Sequence, residues 1–231
     1  MKFLHAHWNN LILASYKIDP KSLEAFIPFG TELDFHDGDC YVSLVAFMFH
    51  DTRICNLAIP GHINFEEVNL RFYVRPKYDP TKRSVVFIKE IVPKKAIEVI
   101  ANSLFYENYF TTKMDHHFNG NDYSYSWLNK GVDNSIKVTS TDNFYIPKAG
   151  SIQEFITEHY WGYTKANTNT LEYEVKHDQW EVCDINSYEV NVDFEKNYGS
   201  IFGILNDKKA DNICFSKGSY IEVNYGKKIR T

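Results

Sequence analysis

Signals of secretion and of membrane insertion are missing from this sequence of 231 residues. No stretch approaches the roughly 18 consecutive apolar residues that a transmembrane helix requires. The opening residues, MKFLHAHWNN, lack the long apolar segment and the small-residue cleavage site of a secretory leader. We therefore expect a cytoplasmic protein that has no membrane partner.

Cysteine is scarce, and its spacing carries no signature. The four cysteines, Cys40, Cys55, Cys183 and Cys214, form no CxxC pair, so neither a zinc site nor a redox motif is indicated. A chain of this length does not need disulfides to stabilise its core, and we expect free thiols. The nine histidines contain no HExxH motif, and the sequence predicts no metal site.

Motifs for nucleotide binding, for hydrolysis and for nucleic-acid binding are also absent. The chain contains no GxSxG, no P-loop and no GxGxxG, so we predict no cofactor. The formal net charge is −5, and basic residues occur only as small pairs such as Lys94-Lys95 and Lys227-Lys228. Such pairs are too small to follow a phosphate backbone, and we expect no nucleic-acid partner.

Aromatic residues are abundant instead, with 16 Tyr, 17 Phe and 4 Trp, and aromatics favour strands. Apolar and alternating runs predict strands at 41–50, 66–75, 84–92, 123–127, 136–139, 171–175 and 188–194, and a terminal hairpin of 213–215 and 220–225 around Lys217-Gly218. Helix signals lie at Asp19-Pro20, at Pro93 as a first helical residue, at Ser151 with Glu154 as a capping box, and near 200–206. No repeat or linker interrupts the chain, so we expect one mainly β (α+β) domain over 1–231.

Residues 66–75 alternate most strictly. One face is apolar, from Val68 to Val74, and the other is polar, with Glu67, Asn69 and Arg71. The polar face is either the solvated outer face of a sheet or the lining of a cavity in a closed sheet. The residues alone favour the solvated face.

The pair Lys94-Lys95 admits a catalytic hypothesis. Adjacent ammonium groups lower each other's pKa, and a neutral lysine can attack a carbonyl group to form a Schiff base. The alternative is a solvated first turn of a helix. This alternative is favoured, because a positive pair near a helix N-terminus prefers water around it.

Several sequence phrases, taken together, resemble a known family. In order they are Asp19-Pro20, FGTELD (29–34), YVSLV (41–45), DTR (51–53), NFEEVNLR (64–71), YVR (73–75), EIVP (90–93) and TEHYW (157–161). Over nearly the whole chain they resemble the YqjF-like family of uncharacterised bacterial proteins, which is placed in the acetoacetate decarboxylase-like superfamily. The resemblance implies an antiparallel β-barrel or cone with short flanking helices and a central pocket.

The resemblance also favours the inward orientation of the polar face. Glu67 then becomes the best candidate for a carboxylate inside the pocket, and it is our candidate for catalysis. Residues just before this strand are expected at the pocket mouth, and the helix that begins at Ser151 supplies two more. The predicted ligand-binding set is Arg53, His62, Asn64, Glu67, Asn69, Arg71, His159 and Tyr160. For His159, a buried and hydrogen-bonded structural role is an equal alternative.

The Schiff-base lysine of the superfamily does not carry over. Pro93-Lys94-Lys95 matches the Pro-Lys-Lys string of the family's enzyme, but the residues around it do not. The residues that precede the string in that enzyme correspond to 101–106 here. This correspondence places Asn108, Tyr109 and Phe110 at the positions of the string. We therefore predict that the nucleophilic lysine is absent.

Four functions remain open from sequence. The first is binding of a small acidic or carbonyl-bearing metabolite, with Arg71 or Arg53 as the partner of an anion. The second is acid–base catalysis by Glu67 with His159 or Tyr73. A decarboxylase that uses Lys94 is disfavoured, and a scaffold without a ligand is the fourth. A homo-oligomer is compatible with each of them.

Overall fold

Strands form most of the chain in the computed structural model, which describes residues 2–166 and 169–229. The strands are β1 (Lys2–Lys17), β2 (Thr31–Leu33), β3 (Tyr41–Ile54), β4 (Phe65–Pro76), β5 (Ser84–Val92), β6 (Tyr109–Thr111), β7 (Met114–Asn119), β8 (Asp122–Asn129), β9 (Val132–Ser140), β10 (Trp161–Ala166), β11 (Asn169–His177), β12 (Val182–Cys183), β13 (Ile185–Asn191), β14 (Asn212–Asn224) and β15 (Lys227–Ile229). The helices are α1 (Lys95–Leu104), α2 (Ile152–Thr157) and α3 (Phe194–Tyr198), and 3₁₀ helices span Pro20–Phe26 and Ser200–Leu205.

Seven strands close into a barrel, in the order β14-β1-β3-β4-β5-β10-β11 and back to β14. The β5–β10 contact is parallel and joins only two residue pairs, Trp161 with Ser84 and Gly162 with Val85. The other barrel contacts are antiparallel. Closure pairs the edges of the sheet and leaves room for a cavity. The prediction of a mainly β barrel with short helices is confirmed.

A second sheet, ordered β13-β9-β8-β7, packs on the outside of the barrel. Val68 and Leu70 of β4 share a hydrophobic core with Tyr125 and Trp127 of β8. The apolar face of β4 is therefore the outer face, and it is covered by the second sheet. The polar face of β4 is left to face the barrel interior, which reverses the usual arrangement of an alternating strand.

The predicted C-terminal hairpin is wrong. Residues 212–224 form one continuous strand, β14, which pairs along its length with β1. Gly218 lies opposite Asn9 with a φ of +77°, and a Cβ atom there would collide with the carbonyl oxygen of Trp8. The glycine therefore bends the strand locally without reversing it, because a partner as long as β1 holds both sides of the bend.

Some element ends agree with prediction and others differ. The Asp19 side chain caps a 3₁₀ helix by accepting from the Lys21 amide at 3.0 Å, and Pro20 is its first residue as predicted. α1 begins at Lys95, two residues after Pro93, because Lys94 keeps an extended conformation. The predicted strand 188–194 ends at Asn191 instead, and α3 begins at Phe194.

The capping box at Ser151 forms only in part. Ser151 Oγ accepts from the Glu154 amide at 3.2 Å, as predicted. The Glu154 carboxylate, however, pairs with Arg83 at 2.5 Å and accepts from the Gly150 amide. The helix ends at Thr157, earlier than the predicted Tyr160.

Two further findings bear on the predictions from composition. The four cysteines are free thiols, as expected. Within residues 2–166 and 169–229, no helix is both long enough and apolar enough to cross a membrane.

Candidate functional site

The barrel encloses a cavity of about 110 Å³ whose wall is mostly apolar. Trp8, Phe47 and Trp180 form part of its aromatic lining, and Ile97 and Ala101 of α1 contribute aliphatic groups. The polar and charged residues of the wall, apart from tyrosine hydroxyls, are Glu67, Asn69, Arg71, Glu90 and Glu107. Apolar cavities of about 150 Å³ accept benzene, so a cavity of about 110 Å³ suits an organic molecule smaller than benzene.

The polar face of β4 lies at this wall. Glu67, Asn69 and Arg71 are 3%, 2% and 7% exposed, so the solvated alternative does not hold. Asn69 Nδ2 donates to Glu67 Oε1 at 3.0 Å, and Arg71 Nη2 donates to the Ile156 carbonyl at 2.9 Å. These contacts fix the directions in which the three side chains point.

Two more carboxyl groups join Glu67. Glu90 lies on β5 directly across from Asn69, and Glu107 comes from the segment between α1 and β6. Tyr109 donates to Glu67 Oε2 at 3.0 Å, while Tyr173 donates to Glu107 Oε1 at 2.7 Å. Thr164 also donates to Glu107, at 2.6 Å. Five separate stretches of chain, namely β4, β5, the segment from Glu107 to Tyr109, β10 and β11, thus meet around three acidic side chains.

Burial shifts the protonation of this cluster. Burial raises the pKa of Glu67 to about 7, although the hydrogen bonds from Asn69 and Tyr109 lower it in part. Burial likewise raises the pKa of Glu107 to about 7. The pKa of Glu90 is raised well above its ordinary value by burial and then by the charges of Glu107 and Glu67. Carboxyl groups of this kind can donate as well as accept a proton near neutral pH.

A glycine allows Tyr173 to reach Glu107. Gly162 of β10 lies opposite Tyr173 of β11, and the tyrosine ring occupies the space that a Cβ atom at residue 162 would need. Any other residue at this position would displace the ring. The hydroxyl group could then no longer donate to Glu107 from the same place.

Four buried polar atoms on cavity-lining residues have no hydrogen-bond partner within the described part of the chain. They are the donors Trp8 Nε1 and Arg71 Nε and the acceptors Asn69 Oδ1 and Glu90 Oε2. Buried polar groups are nearly always hydrogen-bonded, because leaving one unpaired costs about 1–3 kcal/mol. Four such atoms on one cavity wall are typical of a site that is completed by a ligand.

The predicted mouth residues lie elsewhere. Arg53 is exposed on β3, next to His5 of β1. His62 Nδ1 contacts the Pro60 carbonyl at 3.0 Å, and Asn64 Oδ1 accepts from the Asp51 amide at 3.0 Å. None of the three is among the residues that line the cavity. The loop before β4 therefore holds its own conformation and does not meet the Glu67 cluster.

His159 and Tyr160 also lie away from the cavity wall. His159 is buried against Tyr73 and Phe155, with ring centroids 4.6 and 5.5 Å away. Within residues 2–166 and 169–229, neither of its ring nitrogens has a hydrogen-bond partner. Burial lowers its pKa well below the ordinary value, which keeps the ring neutral. Tyr160 donates to Glu158 and stacks on His177 at 4.6 Å.

No lysine belongs to the cavity wall that the described residues form. Lys95 is exposed and pairs with Glu98 on the same helix. Of the three residues that the family's longer context aligns with the Pro-Lys-Lys string, Tyr109 lines the cavity. Asn108 donates to the Ile88 carbonyl at 2.9 Å, and Phe110 is 39% exposed.

Sequence reasoning missed Glu90, Glu107 and Tyr173 as site residues. Glu90 had a usable signal, because a charged residue inside the apolar strand 84–92 is rare unless it is paired or functional. Glu107 lies in an irregular segment that has no periodicity, and nothing in the sequence marks it. The three carboxyl groups are not arranged to bind a metal ion, nor is any other His, Cys, Asp or Glu group among residues 2–166 and 169–229.

Several solved structures have a similar fold. Acetoacetate decarboxylase of Legionella pneumophila matches with a TM-score of 0.69 and 13% identity, over 97% of this chain and 86% of that one. An acetoacetate decarboxylase-like enzyme of Sphingomonas wittichii RW1 matches at 0.67 and 12%, over 100% and 94%. The enduracididine biosynthesis enzyme MppR, in complex with pyruvate, matches at 0.66 and 11%, over 97% and 89%. At these identities the likeness shows the fold alone.

The sequence comparisons are closer. The uncharacterized protein YqjF of Bacillus subtilis (strain 168) is 27% identical over 177 residues, which cover 75% of this chain and 72% of the relative. The family of uncharacterized conserved proteins known as DUF2071 matches residues 5–220. This match spans nearly the whole barrel and the second sheet, and the chain belongs to the DUF2071 family.

Proposed function

We propose that this protein binds a small carbonyl-bearing metabolite in the barrel cavity. The observation that carries the proposal is a compact apolar cavity whose wall holds buried, unpartnered hydrogen-bonding atoms. Arg71 Nε is a donor without an acceptor, and a carbonyl oxygen is an acceptor of suitable size. A fold neighbour is described in complex with pyruvate, which carries a carbonyl group beside a carboxylate, so it supports only the carbonyl part of this ligand.

An acidic ligand is less favoured than a neutral carbonyl compound. Arg71 is the one cationic side chain among the described residues that line the cavity, and three carboxyl groups line the same cavity. Each carboxylate on a ligand would add a like charge to this cluster, which low-dielectric surroundings penalise strongly. Arg53, the alternative partner for an anion, lies outside the wall.

Native mass spectrometry of the purified protein tests this function. We expect a bound small molecule that dissociates on denaturation and whose mass identifies its chemical class. Ala101 lines the cavity from α1, so Ala101→Trp should fill the space and remove the bound mass. Ala96 lies exposed on the same helix, and Ala96→Trp serves as the matched control.

The proposal requires a difference between these two variants. A bound mass retained in Ala101→Trp, or lost equally in Ala96→Trp, would place the molecule outside the cavity. Two negative results together would contradict the proposal itself: the purified protein carries no small molecule, and it binds no 2-ketone of three to six carbons.

Acid–base catalysis by Glu67 is the second candidate. Its specific support is the raised pKa, about 7, of a carboxyl group at the wall of an apolar cavity. The Glu67 carboxylate would take a proton from the carbon next to the carbonyl group, and the electron pair would move onto the oxygen as an enolate. Proton return from Glu67 would restore the ketone.

Deuterium uptake measures this reaction without a known substrate. In D₂O, we expect a ketone such as butanone to exchange its α-hydrogens faster with the protein than without it, as read by proton NMR. Glu67→Gln should abolish the acceleration. Glu66→Gln should keep it, because Glu66 has its carboxylate against His116, at 2.6 Å, and does not line the cavity. Equal rates with and without protein would eliminate this candidate.

A further inference from the structure

We infer that the ligand of this cavity carries a cationic nitrogen group, an ammonium or a guanidinium, on a compact apolar body. The inference deepens the proposed function and rests on it: the same ligand presents its carbonyl oxygen to Arg71 and its charged nitrogen to the acidic side of the cavity. Three features of the wall support it independently of one another.

The first feature is a pair of unpartnered acceptors. Asn69 and Glu90 are direct cross-strand neighbours on β4 and β5, and they are 2% and 3% exposed. Because Asn69 Nδ2 is bonded to Glu67, its Oδ1 atom is left as an acceptor, and Glu90 Oε2 is unpartnered beside it. An ammonium group offers three donors and no acceptor, so it can serve both oxygens at once.

The second feature is the charge of the wall. Every titratable or charged group that lines the cavity among the described residues comes from β4, β5, β6, β11 or the segment after α1, namely Glu67, Arg71, Glu90, Glu107, Tyr109 and Tyr173. Glu67 and Glu107 accept hydrogen bonds from tyrosine hydroxyls, which favours their ionised forms. Arg71 already donates to the Ile156 carbonyl. The wall therefore holds three carboxyl groups and a single cationic side chain among the described residues, and a ligand cation would stabilise the ionised forms of Glu67 and Glu107.

The third feature is the aromatic lining. Tyr109 and Tyr173 border the carboxyl groups, and Trp8, Phe47 and Trp180 continue the wall. Cations bind favourably over aromatic faces, by about 0.5–2 kcal/mol. The same rings exclude water and pack against the apolar body of the ligand, so the lining suits both halves of such a molecule.

The inference predicts a coupling between binding and protons. Burial raises the pKa of Glu67 and Glu107 to about 7, so both carboxyl groups are partly protonated at neutral pH when no ligand is bound. A bound cation favours the ionised carboxylates, and protons are released when it binds. A bound carboxylate would do the opposite and draw protons in.

Matched series of linear compounds with three to six carbons test the inference: primary amines, 2-ketones and carboxylates. Titration calorimetry at pH 7, in two buffers of different ionisation enthalpy, gives affinity and proton number together. We expect the best amine to bind at least tenfold tighter than the best carboxylate, with proton release. Glu107→Gln and Glu67→Gln should each weaken amine binding at least tenfold. Glu66→Gln is the control and should leave amine binding unchanged.

Each outcome separates the two proposals. Ketones that bind while amines do not would overturn the cationic ligand and leave the proposed function standing. Carboxylates that bind as tightly as amines, or amine binding without proton release, would overturn it as well. If no compound of any series binds and the purified protein carries no small molecule, both proposals fail. Circular dichroism spectra of the variants show whether each one has folded.

Discussion

Asn197→Ala is expected to lower the free energy of unfolding by about 3 kcal/mol or more. Asn197 is fully buried in α3, where its Oδ1 atom accepts from Trp127 Nε1 and from Asn129 Nδ2, both at 2.9 Å. Its Nδ2 atom donates to Asn134 Oδ1 at 2.8 Å and to the Asp193 carbonyl at 2.7 Å. Alanine removes all four contacts and leaves the indole N–H without a partner, and each buried unpaired group costs about 1–3 kcal/mol.

Urea denaturation followed by circular dichroism measures this loss. Asn191, exposed at the end of β13, supplies the matched control, and Asn191→Ala should stay within about 0.5 kcal/mol of the parent protein. Asn197→Asp keeps the acceptor and loses both donated hydrogen bonds while it buries a charge. It should therefore destabilise at least as much as alanine. A loss below about 1 kcal/mol for Asn197→Ala would mean that water replaces the amide group.

Glu90→Gln is expected to stabilise the protein at alkaline pH but not at acidic pH. The folded state raises the pKa of Glu90 well above its ordinary value, mainly through burial. Above the unfolded pKa, the folded chain therefore keeps a proton that the unfolded chain has lost. Stability contributed by this group is complete below the unfolded pKa and falls as pH rises through the folded pKa, by about 1.4 kcal/mol per pH unit.

The measurement is the difference in unfolding free energy between Glu90→Gln and the parent protein. Glutamine resembles the protonated acid in shape, so the two proteins should be similar at pH 5, and the gap should widen by about 2 kcal/mol or more at pH 8. Burial lowers the pKa of His159 and of His177, which weakens folding as pH falls, but both proteins share this effect. Glu66→Gln should show no widening. A gap that stays constant with pH would mean that Glu90 is ionised throughout.

The fold class was accessible from sequence because strands such as β3, β4 and β5 carry their own pattern, whereas β7 and β10 were not predicted. The alternation in 66–75 separated the two faces of β4 correctly. It did not say which face lies inside, since the outer face is buried under Tyr125 and Trp127 of another sheet. The hairpin at Lys217-Gly218 was predicted from a local turn signal. The outcome depended on a strand some two hundred residues away, which no local pattern contains.

The site was accessible only in part, for a related reason. Glu67, Asn69 and Arg71 share one strand, so their common face follows from the two-residue period. Glu107 reaches the same place through the end of α1, and Tyr173 through a strand that depends on Gly162. These segments are far apart in the sequence and come together only because the barrel closes, so no local pattern predicts their proximity. The resemblance to a pocket-containing superfamily supplied the orientation that the residues alone did not.

The pairing of β1 with β14 has a consequence for how the chain folds during synthesis. β1 ends at Lys17 and β14 begins at Asn212, so ribosomes that add about 5–20 residues per second separate the two strands by on the order of 10 to 40 s. In that interval β1 can pair with β3 along one edge, while its other edge has no native partner. Chaperones that bind exposed strand edges therefore have their longest opportunity at β1, and the cavity takes shape only after translation has passed Asn224.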